Sequence, residues 1–226
     1  MTLVLHQHPL ASFCHKVLIA LYESGTPFEP VLIDLGNEAS RSAFLALSPL
    51  GKMPALRDDG RDRTLFETSI IIEYLDRYYP GNARLIPEGF DHALDVRLWD
   101  RFFDLYVQDP MQQIVSERMR PDGSHLRADQ ARDALRRAYG VIEDKLGTDG
   151  WIAGATFTMA DCAAAPALFY AETLVPFGSA WPKLQAYHER LLQRPSIARV
   201  LDEAMPYFKF YPYKENLPAR YKPADG

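Results

Sequence analysis

The first eighty residues alternate short apolar runs with segments in which apolar residues recur every three or four positions. The short runs have the length of strands and are bounded by turn residues, whereas the recurring spacing is typical of helices buried on one side. This part of the chain is therefore predicted to fold in the order βαβαββα. The predicted strands are residues 3–6, 28–33, 54–57 and 63–66, and the predicted helices are residues 13–24, 38–47 and 68–79.

Two connections set the predicted strand directions. The helix between the first two strands is a crossover, which makes that pair parallel. Asp58-Asp59-Gly60 is a hairpin turn signal, so the third and fourth strands should be antiparallel. We therefore expect a mixed sheet.

The strand signals stop after Gly81. Residues 81–90 are predicted as a linker, and residues 91–204 as an all-helical domain that opens with a long helix from Asp91 to about Arg118. Two apolar stripes on this helix predict burial on two sides. One stripe is Leu94, Leu98, Phe102 and Leu105, and the other is Trp99, Phe103 and Tyr106.

A later helix, from Thr158 to Ala171, is apolar on all sides and is therefore predicted to be central. Thr158 and Asp161 have the spacing of a capping box, which satisfies backbone groups where water cannot reach them. Cys162 follows and is expected to be structural. Residues 205–226 form an aromatic, proline-rich tail, which could cover the site as a lid, dock elsewhere or pack on a partner subunit.

Composition narrows the class of protein. The net charge of −5 over 226 residues gives no reason to expect nucleic acid or an anionic membrane as a partner. Cys14 and Cys162 lie far apart, which argues against a disulfide framework and fits a reducing compartment. We see neither a signal peptide nor an apolar run of membrane-spanning length, so we expect a cytoplasmic protein.

The stretch from Ser48 to Ser69 holds the best candidate binding site. Gly51 and Pro54 bracket a tight backbone passage, and the bond before Pro54 is a candidate for the cis isomer. The helix that starts near Thr68 offers a hydroxyl and free N–H groups to a carboxylate. Together these features could hold one small, charged, peptide-like ligand. His6 and His8 have no further ligand cluster beside them, so no metal site is predicted.

Three segments resemble motifs of the cytosolic glutathione transferase family, in its bacterial-type form with a Ser or Cys loop. Residues 48–56 (S-P-L-G-K-M-P-A-L) resemble the family's N-P-x-G-x-V-P-x-L, and residues 65–75 (L-F-E-T-S-I-I-I-E-Y-L) resemble its E-S-x-A-I-x-x-Y-L. Residues 157–161 (F-T-M-A-D) resemble its F-T-x-A-D capping box. The resemblance extends to about residue 204. It implies a thioredoxin-like α/β domain over residues 1–80, an all-α C-terminal domain, a detoxifying transferase and a homodimer.

The resemblance also implies roles in binding glutathione as cosubstrate. The backbone of Met53, held by Pro54, would pair with the cysteinyl peptide of glutathione. Thr68 would bind the γ-glutamyl carboxylate, where the family usually has Ser. Glu67 would meet the ammonium group, and Lys52 would reach the glycyl carboxylate.

The family places a Ser, Tyr or Cys after the first strand to stabilise the glutathione thiolate. Alignment on F-C-x-K-V puts Ala11 at that position, whereas alignment on the first hydroxyl after Pro9 puts Ser12 there. We select Ser12 as the catalytic residue, with a plain helix N-cap as its alternative role. Cys14 is the rival, because a thiol near a helix N-terminus could have a low pKa; its alternative role is a packed hydrophobic residue.

Three functions remain open at this point. The first is conjugation of glutathione to a small hydrophobic electrophile. The second is thiol–disulfide reduction through Cys14. The third is a non-catalytic interaction protein, which stays open because Ala11 occupies the position of the family's catalytic hydroxyl in one alignment. The candidate residues for the electrophile pocket are Trp99, Phe103, Tyr106 and Met111.

Overall fold

A computed structural model describes residues 2–34 and 36–223, and the chain divides into two compact units between Ile86 and Pro87. The division falls inside the predicted linker. The first unit has the predicted order βαβαββα. Its elements are β1 (Leu3–Gln7), α1 (Ser12–Ser24), β2 (Glu29–Leu32), α2 (Glu38–Leu47), β3 (Ala55–Asp58), β4 (Arg63–Leu65) and α3 (Thr68–Tyr78).

The sheet formed by the described residues has the strand order β2-β1-β3-β4. β1 and β2 are parallel, whereas β3 is antiparallel to both β1 and β4, which confirms the mixed sheet. His6 pairs with Ala55, and Leu56 pairs with Leu65. The end of β1, the start of β3 and the end of β4 therefore lie at one edge of the sheet. Because α1 follows β1 and α3 follows β4, both helices begin at this edge.

The core of the first unit lies around the sheet. Leu5 on β1, Leu21 on α1 and Ile71 on α3 are completely buried. A second cluster joins Phe44, the buried residue of α2, to Ala55 at the start of β3. Burial of such side chains contributes roughly 1.5–3 kcal/mol each, so these clusters hold the helices to the sheet.

The second unit is helical, and the one bridge between extended residues that its described part contains joins Trp151 to Gly154. It also contains 3-10 segments at Gly178–Ala180, Met205–Phe210, Lys214–Asn216 and Ala219–Tyr221. The helices are α4 (Phe90–Phe102), α5 (Asp109–Met119), α6 (His125–Lys145), α7 (Met159–Leu174), α8 (Pro182–Leu192) and α9 (Pro195–Ala204).

The prediction of one uninterrupted helix from Asp91 to Arg118 is wrong. A π-helical segment, Phe103–Gln108, separates α4 from α5. Pro110, the second residue of α5, accounts for the break. Proline has no N–H for the carbonyl four residues earlier, and its ring clashes with that carbonyl, so the chain widens just before it.

Burial on two sides, which was predicted for this helical segment, is not found among the described residues of the single chain. Trp99 and Phe103 are buried, but Leu94, Leu98 and Leu105 are exposed. Apolar spacing identifies a face of a helix without identifying what covers it. The exposed stripe is therefore an apolar surface on the outside of this chain.

The predicted capping box of α7 is present, and it is completely buried. Asp161 accepts hydrogen bonds from the N–H and the hydroxyl of Thr158, at 2.8 and 3.0 Å. It also accepts bonds from the N–H of Ile152 at 3.2 Å and the hydroxyl of Tyr187 at 2.6 Å. One carboxylate thus joins the start of α7 to the preceding loop and to α8.

The aromatic tail packs against α7 of its own helical unit. Phe208 stacks on Phe169 with ring centroids 5.8 Å apart, and Tyr221 meets the same ring edge-on at 5.6 Å. The hydroxyls of Tyr211 and Thr173 are hydrogen-bonded at 2.7 Å. These contacts answer where the described part of the tail docks; residues 224–226 lie outside the described range.

Two further features bear on the class of protein. Cys14 and Cys162 are both free and buried. Over residues 2–34 and 36–223, no helix combines the length and the apolar character that crossing a bilayer would require.

Candidate active site

Three chain segments meet at the sheet edge where β1 and β4 end and β3 begins. They are the loop from β1 into α1, the turn that leads into β3, and the start of α3. The edge therefore brings together the sequence-predicted residues of the first unit: Ser12, Cys14, Lys52, Met53, Pro54, Glu67 and Thr68.

The loop between β1 and α1 is held by a hydrogen bond within the loop and by another from the first turn of α1. The carbonyl of His8 accepts a bond from the N–H of Ala11 at 2.9 Å, and the carbonyl of Pro9 accepts one from Nε2 of His15 at 2.5 Å. His15 is buried, so the second bond is shielded from water. The loop consequently holds the start of α1 in a defined position.

Ser12 is the first residue of α1, and Ala11 is its N-cap, with extended backbone angles. The alternative role of Ser12 as the helix N-cap is therefore wrong. Ser12 is buried at the start of the helix, where backbone N–H groups and the helix dipole favour negative charge.

Cys14 is the third residue of α1, on its buried side, and has no exposed surface. Burial raises the pKa of its thiol to about 12, and a backbone hydrogen bond at His8 only partly opposes this. A thiol with such a pKa is almost entirely protonated at neutral pH. Because the thiolate is the nucleophile, this environment opposes a reactive role for Cys14.

The turn before β3 contains a cis Met53–Pro54 peptide bond, as predicted. Ser48 closes this turn: its hydroxyl donates to the carbonyl of Lys52 at 2.9 Å, and its own carbonyl accepts from the N–H of Gly51 at 2.8 Å. Gly51 has φ of +64°, a conformation that suits glycine. Lys52 is exposed, Pro54 is buried, and Met53 packs against the Phe44 cluster.

The start of α3 has an unusual backbone. Glu67 is the N-cap with φ of +69°, which is rare for a residue with a side chain and costs on the order of 1–3 kcal/mol. Its side chain makes no capping hydrogen bond. Thr68, the buried first residue of the helix, therefore lies at an N-terminus whose first N–H groups Glu67 does not cap.

Lys16 is a buried residue near the candidate site that sequence analysis did not single out. It is completely buried on α1, and its Nζ donates to Oγ of Ser69 at 3.1 Å. This bond joins the two helices that begin at the sheet edge and brings a cationic side chain to the first turn of α3. The available signal was a lysine directly before the apolar run that begins at Val17.

The predicted electrophile-pocket residues all lie in the second unit. Trp99, Phe103 and Met111 are buried, and the rings of Trp99 and Phe103 are 6.4 Å apart. Tyr106 is exposed, and its ring lies 5.2 Å from that of Phe102. Their role in binding an electrophile stays a prediction. Within the described ranges, no group of three or more His, Cys, Asp or Glu side chains could hold a metal ion.

Comparisons with known proteins follow the division into two units. Residues 5–83 match the family profile described as glutathione S-transferase, N-terminal domain. Residues 107–195 match the profile described as glutathione S-transferase, C-terminal domain.

Relatives match over nearly the full chain. Glutathione S-transferase 1 of Triticum aestivum is 28% identical and covers 89% of this chain and 94% of its own. Glutathione S-transferase GstB of Escherichia coli K12 is 29% identical and covers 82% and 91%. The crystal structure of glutathione transferase URE2P6 from Phanerochaete chrysosporium, in complex with oxidized glutathione, superposes with a TM-score of 0.81 at 26% identity, covering 91% and 97%. The chain belongs to the cytosolic glutathione S-transferase family.

Proposed function

We propose that this protein is a cytoplasmic glutathione transferase that conjugates glutathione to a small hydrophobic electrophile. The observation that carries the proposal is the meeting, at one sheet edge, of the cis Met53–Pro54 turn with the starts of α1 and α3. A related structure was solved in complex with oxidized glutathione, which supports the choice of cosubstrate.

Each charged group of glutathione would have a partner at this edge. Thr68 would bind the γ-glutamyl carboxylate with its hydroxyl and N–H, helped by the helix dipole. Glu67 would accept from the ammonium group. Met53 would pair through its backbone with the cysteinyl peptide, next to Pro54, and the exposed Lys52 would reach the glycyl carboxylate.

Ser12 would stabilise the thiolate. A free thiol titrates near ~8.5, and each unit of lowering needs about 1.4 kcal/mol of preferential stabilisation. One hydroxyl at the N-terminus of α1 could supply one or two such units. The thiolate sulfur would then attack an electrophilic carbon, forming a C–S bond while the leaving group departs with its electron pair.

The alternative of a thiol–disulfide reductase depends on Cys14, and the burial of that thiol opposes it. The alternative of a non-catalytic module rests on the alanine at position 11, which has no hydroxyl. Only an activity measurement distinguishes this alternative from the proposed transferase. We also propose that the protein is a homodimer, supported by the exposed apolar stripe on α4.

Calorimetric titration with glutathione, followed by a conjugation assay with a chloronitrobenzene, tests the proposal. Thr68→Val should weaken glutathione binding about tenfold, because the valine keeps the shape but loses a hydrogen bond to a charged group. Thr64→Val, on β4, is the matched control and should bind like the parent protein. Absence of glutathione binding at millimolar concentration would refute both enzymatic functions, whereas binding without conjugation would leave the non-catalytic reading.

A further inference from the structure

A second candidate site lies in the helical unit, at the turn between α5 and α6. It is a cavity of about 480 Å³, a volume in the range of small-molecule sites. The end of α5, the turn and the start of α6 form its wall, together with Tyr213 from the tail. The wall is mostly polar, and three of its residues are arginines: Arg118, Arg120 and Arg132.

The acidic partners of these arginines lie outside the cavity wall. Each arginine forms an ion pair with a carboxylate that does not line the cavity. The pairs are Arg118 with Glu215 at 3.0 Å, Arg120 with Asp122 at 3.1 Å and Arg132 with Asp129 at 2.9 Å. Because the carboxylate of each pair is exposed to solvent, such pairs contribute only about 0–1 kcal/mol, so a ligand anion can compete for the guanidinium groups.

Glu117, the one carboxylate that the described wall contains, is already neutralised. Arg127 binds both of its oxygens, at 2.7 and 3.0 Å, and the N–H of Ser124 donates to it at 2.7 Å. These bonds lower the pKa of Glu117 to about 2, so it stays ionised and paired. The wall itself therefore presents three guanidinium groups and one carboxylate, and the acceptor oxygens of that carboxylate are already occupied.

One of the arginines is held in place by an aromatic ring. The guanidinium of Arg118 lies over the ring of Tyr213, 4.2 Å from its centroid. This contact reduces the rotamer freedom that Arg118 would lose on binding a ligand.

We propose that the cavity binds a small polyanion that carries at least two phosphate or carboxylate groups. The planar guanidinium fork matches both kinds of oxyanion, and residues from two different helices supply the forks. All of the described residues that line the cavity belong to the second unit.

The test is calorimetric titration of the whole protein with pyrophosphate and, separately, with citrate, at low ionic strength. The two anions distinguish phosphate from carboxylate recognition. Arg132→Gln should weaken binding about tenfold, the effect of losing one charge-assisted hydrogen bond. Arg136→Gln is the matched control: Arg136 pairs with Asp133 three residues earlier on the same helix, as Arg132 pairs with Asp129, but it does not line the cavity. It should leave the affinity unchanged.

Arg120→Gln provides a second variant and should also weaken binding; the unfolding midpoints of all three variants should stay near that of the parent protein. The proposal is overturned if neither anion binds at millimolar concentration, or if both α6 variants, Arg132→Gln and Arg136→Gln, lose affinity equally. It is also overturned if saturating glutathione displaces the anion, which would assign the binding to the first unit. If the protein does not bind glutathione at all, the difference in anion affinity between Arg132→Gln and Arg136→Gln still tests the proposed anion site.

Discussion

Ser12 is the residue proposed to stabilise the glutathione thiolate. Ser12→Ala should raise the pKa of bound glutathione by about one unit or more and lower conjugation correspondingly. Titration of the thiolate absorbance in the complex measures the first effect. Ser24→Ala, which removes another buried serine hydroxyl from α1, is the control for a loss of stability. An unchanged titration in Ser12→Ala would mean that another group faces the sulfur.

Asp58 shows how the first unit holds a buried carboxylate. The hydroxyl of Tyr74 donates to it at 2.7 Å, the hydroxyl of Tyr79 also donates to it, and the N–H of Arg61 donates at 3.1 Å. Burial by itself would raise the pKa of Asp58, but these hydrogen bonds more than offset that effect and keep the pKa below its ordinary value.

Because the folded-state pKa of Asp58 is depressed, the carboxylate stabilises the fold fully above the unfolded value of about 3.9. This stabilisation is lost as the pH falls through the folded-state pKa. Asp58→Asn should lower the free energy of unfolding by about 2 kcal/mol at about pH 7, since an amide cannot accept from three donors, and by less at about pH 3. Urea unfolding measures both values.

The control for this prediction is Asp59→Asn, which removes the charge from the exposed neighbour and breaks only its pair with Arg57. It should change stability by less than about 1 kcal/mol. A cost for Asp58→Asn that does not depend on pH would contradict the assignment.

At the residue scale, a contact could be predicted from the sequence where the spacing of two residue types alone defines it. Thr158 and Asp161 were predicted as a capping box, because that motif depends on two residue types three positions apart. The alternative role given to Ser12, that of an N-cap, was wrong, because a cap also depends on backbone angles. The buried Lys16 escaped prediction, since its hydrogen bond with Ser69 joins residues far apart in sequence.

At the element scale, the tail is an integral part of the helical unit. Tyr211→Phe should lower the free energy of unfolding by about 1 kcal/mol, because it removes the hydroxyl that bonds Thr173 inside the protein. Tyr213→Phe is the control, since the contact of Tyr213 with Arg118 is through its ring. Thermal unfolding compares the two variants; equal losses would mean that ring packing alone holds the tail.

The break between α4 and α5 shows that the spacing of apolar residues does not reveal an interruption within a helix. The apolar spacing continues through Phe103–Gln108, so periodicity gave no sign of the π-helical segment. The signal was Pro110, whose effect falls on the turn before it. The docking of the tail on Phe169 and Thr173 could not be predicted either, because aromatic composition does not specify a partner surface.

At the scale of the whole molecule, the exposed stripe on α4 predicts self-association. Leu98→Glu should shift the sedimentation coefficient from that of a dimer to that of a monomer, because burying an unpaired carboxylate costs several kcal/mol. Leu126→Glu, at an exposed leucine on α6, is the control and should leave the dimer intact. A monomeric parent protein would contradict the prediction directly.

The two-part architecture could be predicted because it depends on the period of apolar residues, which changes from mixed strand and helix spacing to helix spacing alone. What covers each apolar face could not be predicted. Leu94 and Leu98 have the same spacing as a buried stripe, and only the fold distinguishes an internal face from a surface.

The strained backbone of Glu67 lowers the stability of the fold, whereas its side chain is proposed to bind glutathione. Glycine adopts a positive φ without steric cost, so Glu67→Gly should raise the unfolding midpoint while it weakens glutathione binding. Asp62→Gly, at another positive-φ residue in the β3–β4 turn, should relax the backbone without affecting glutathione. Selection for thermostability alone would therefore tend to replace Glu67. If thermostable variants obtained by selection for both stability and activity keep Glu67, glutathione binding is the property that retains it.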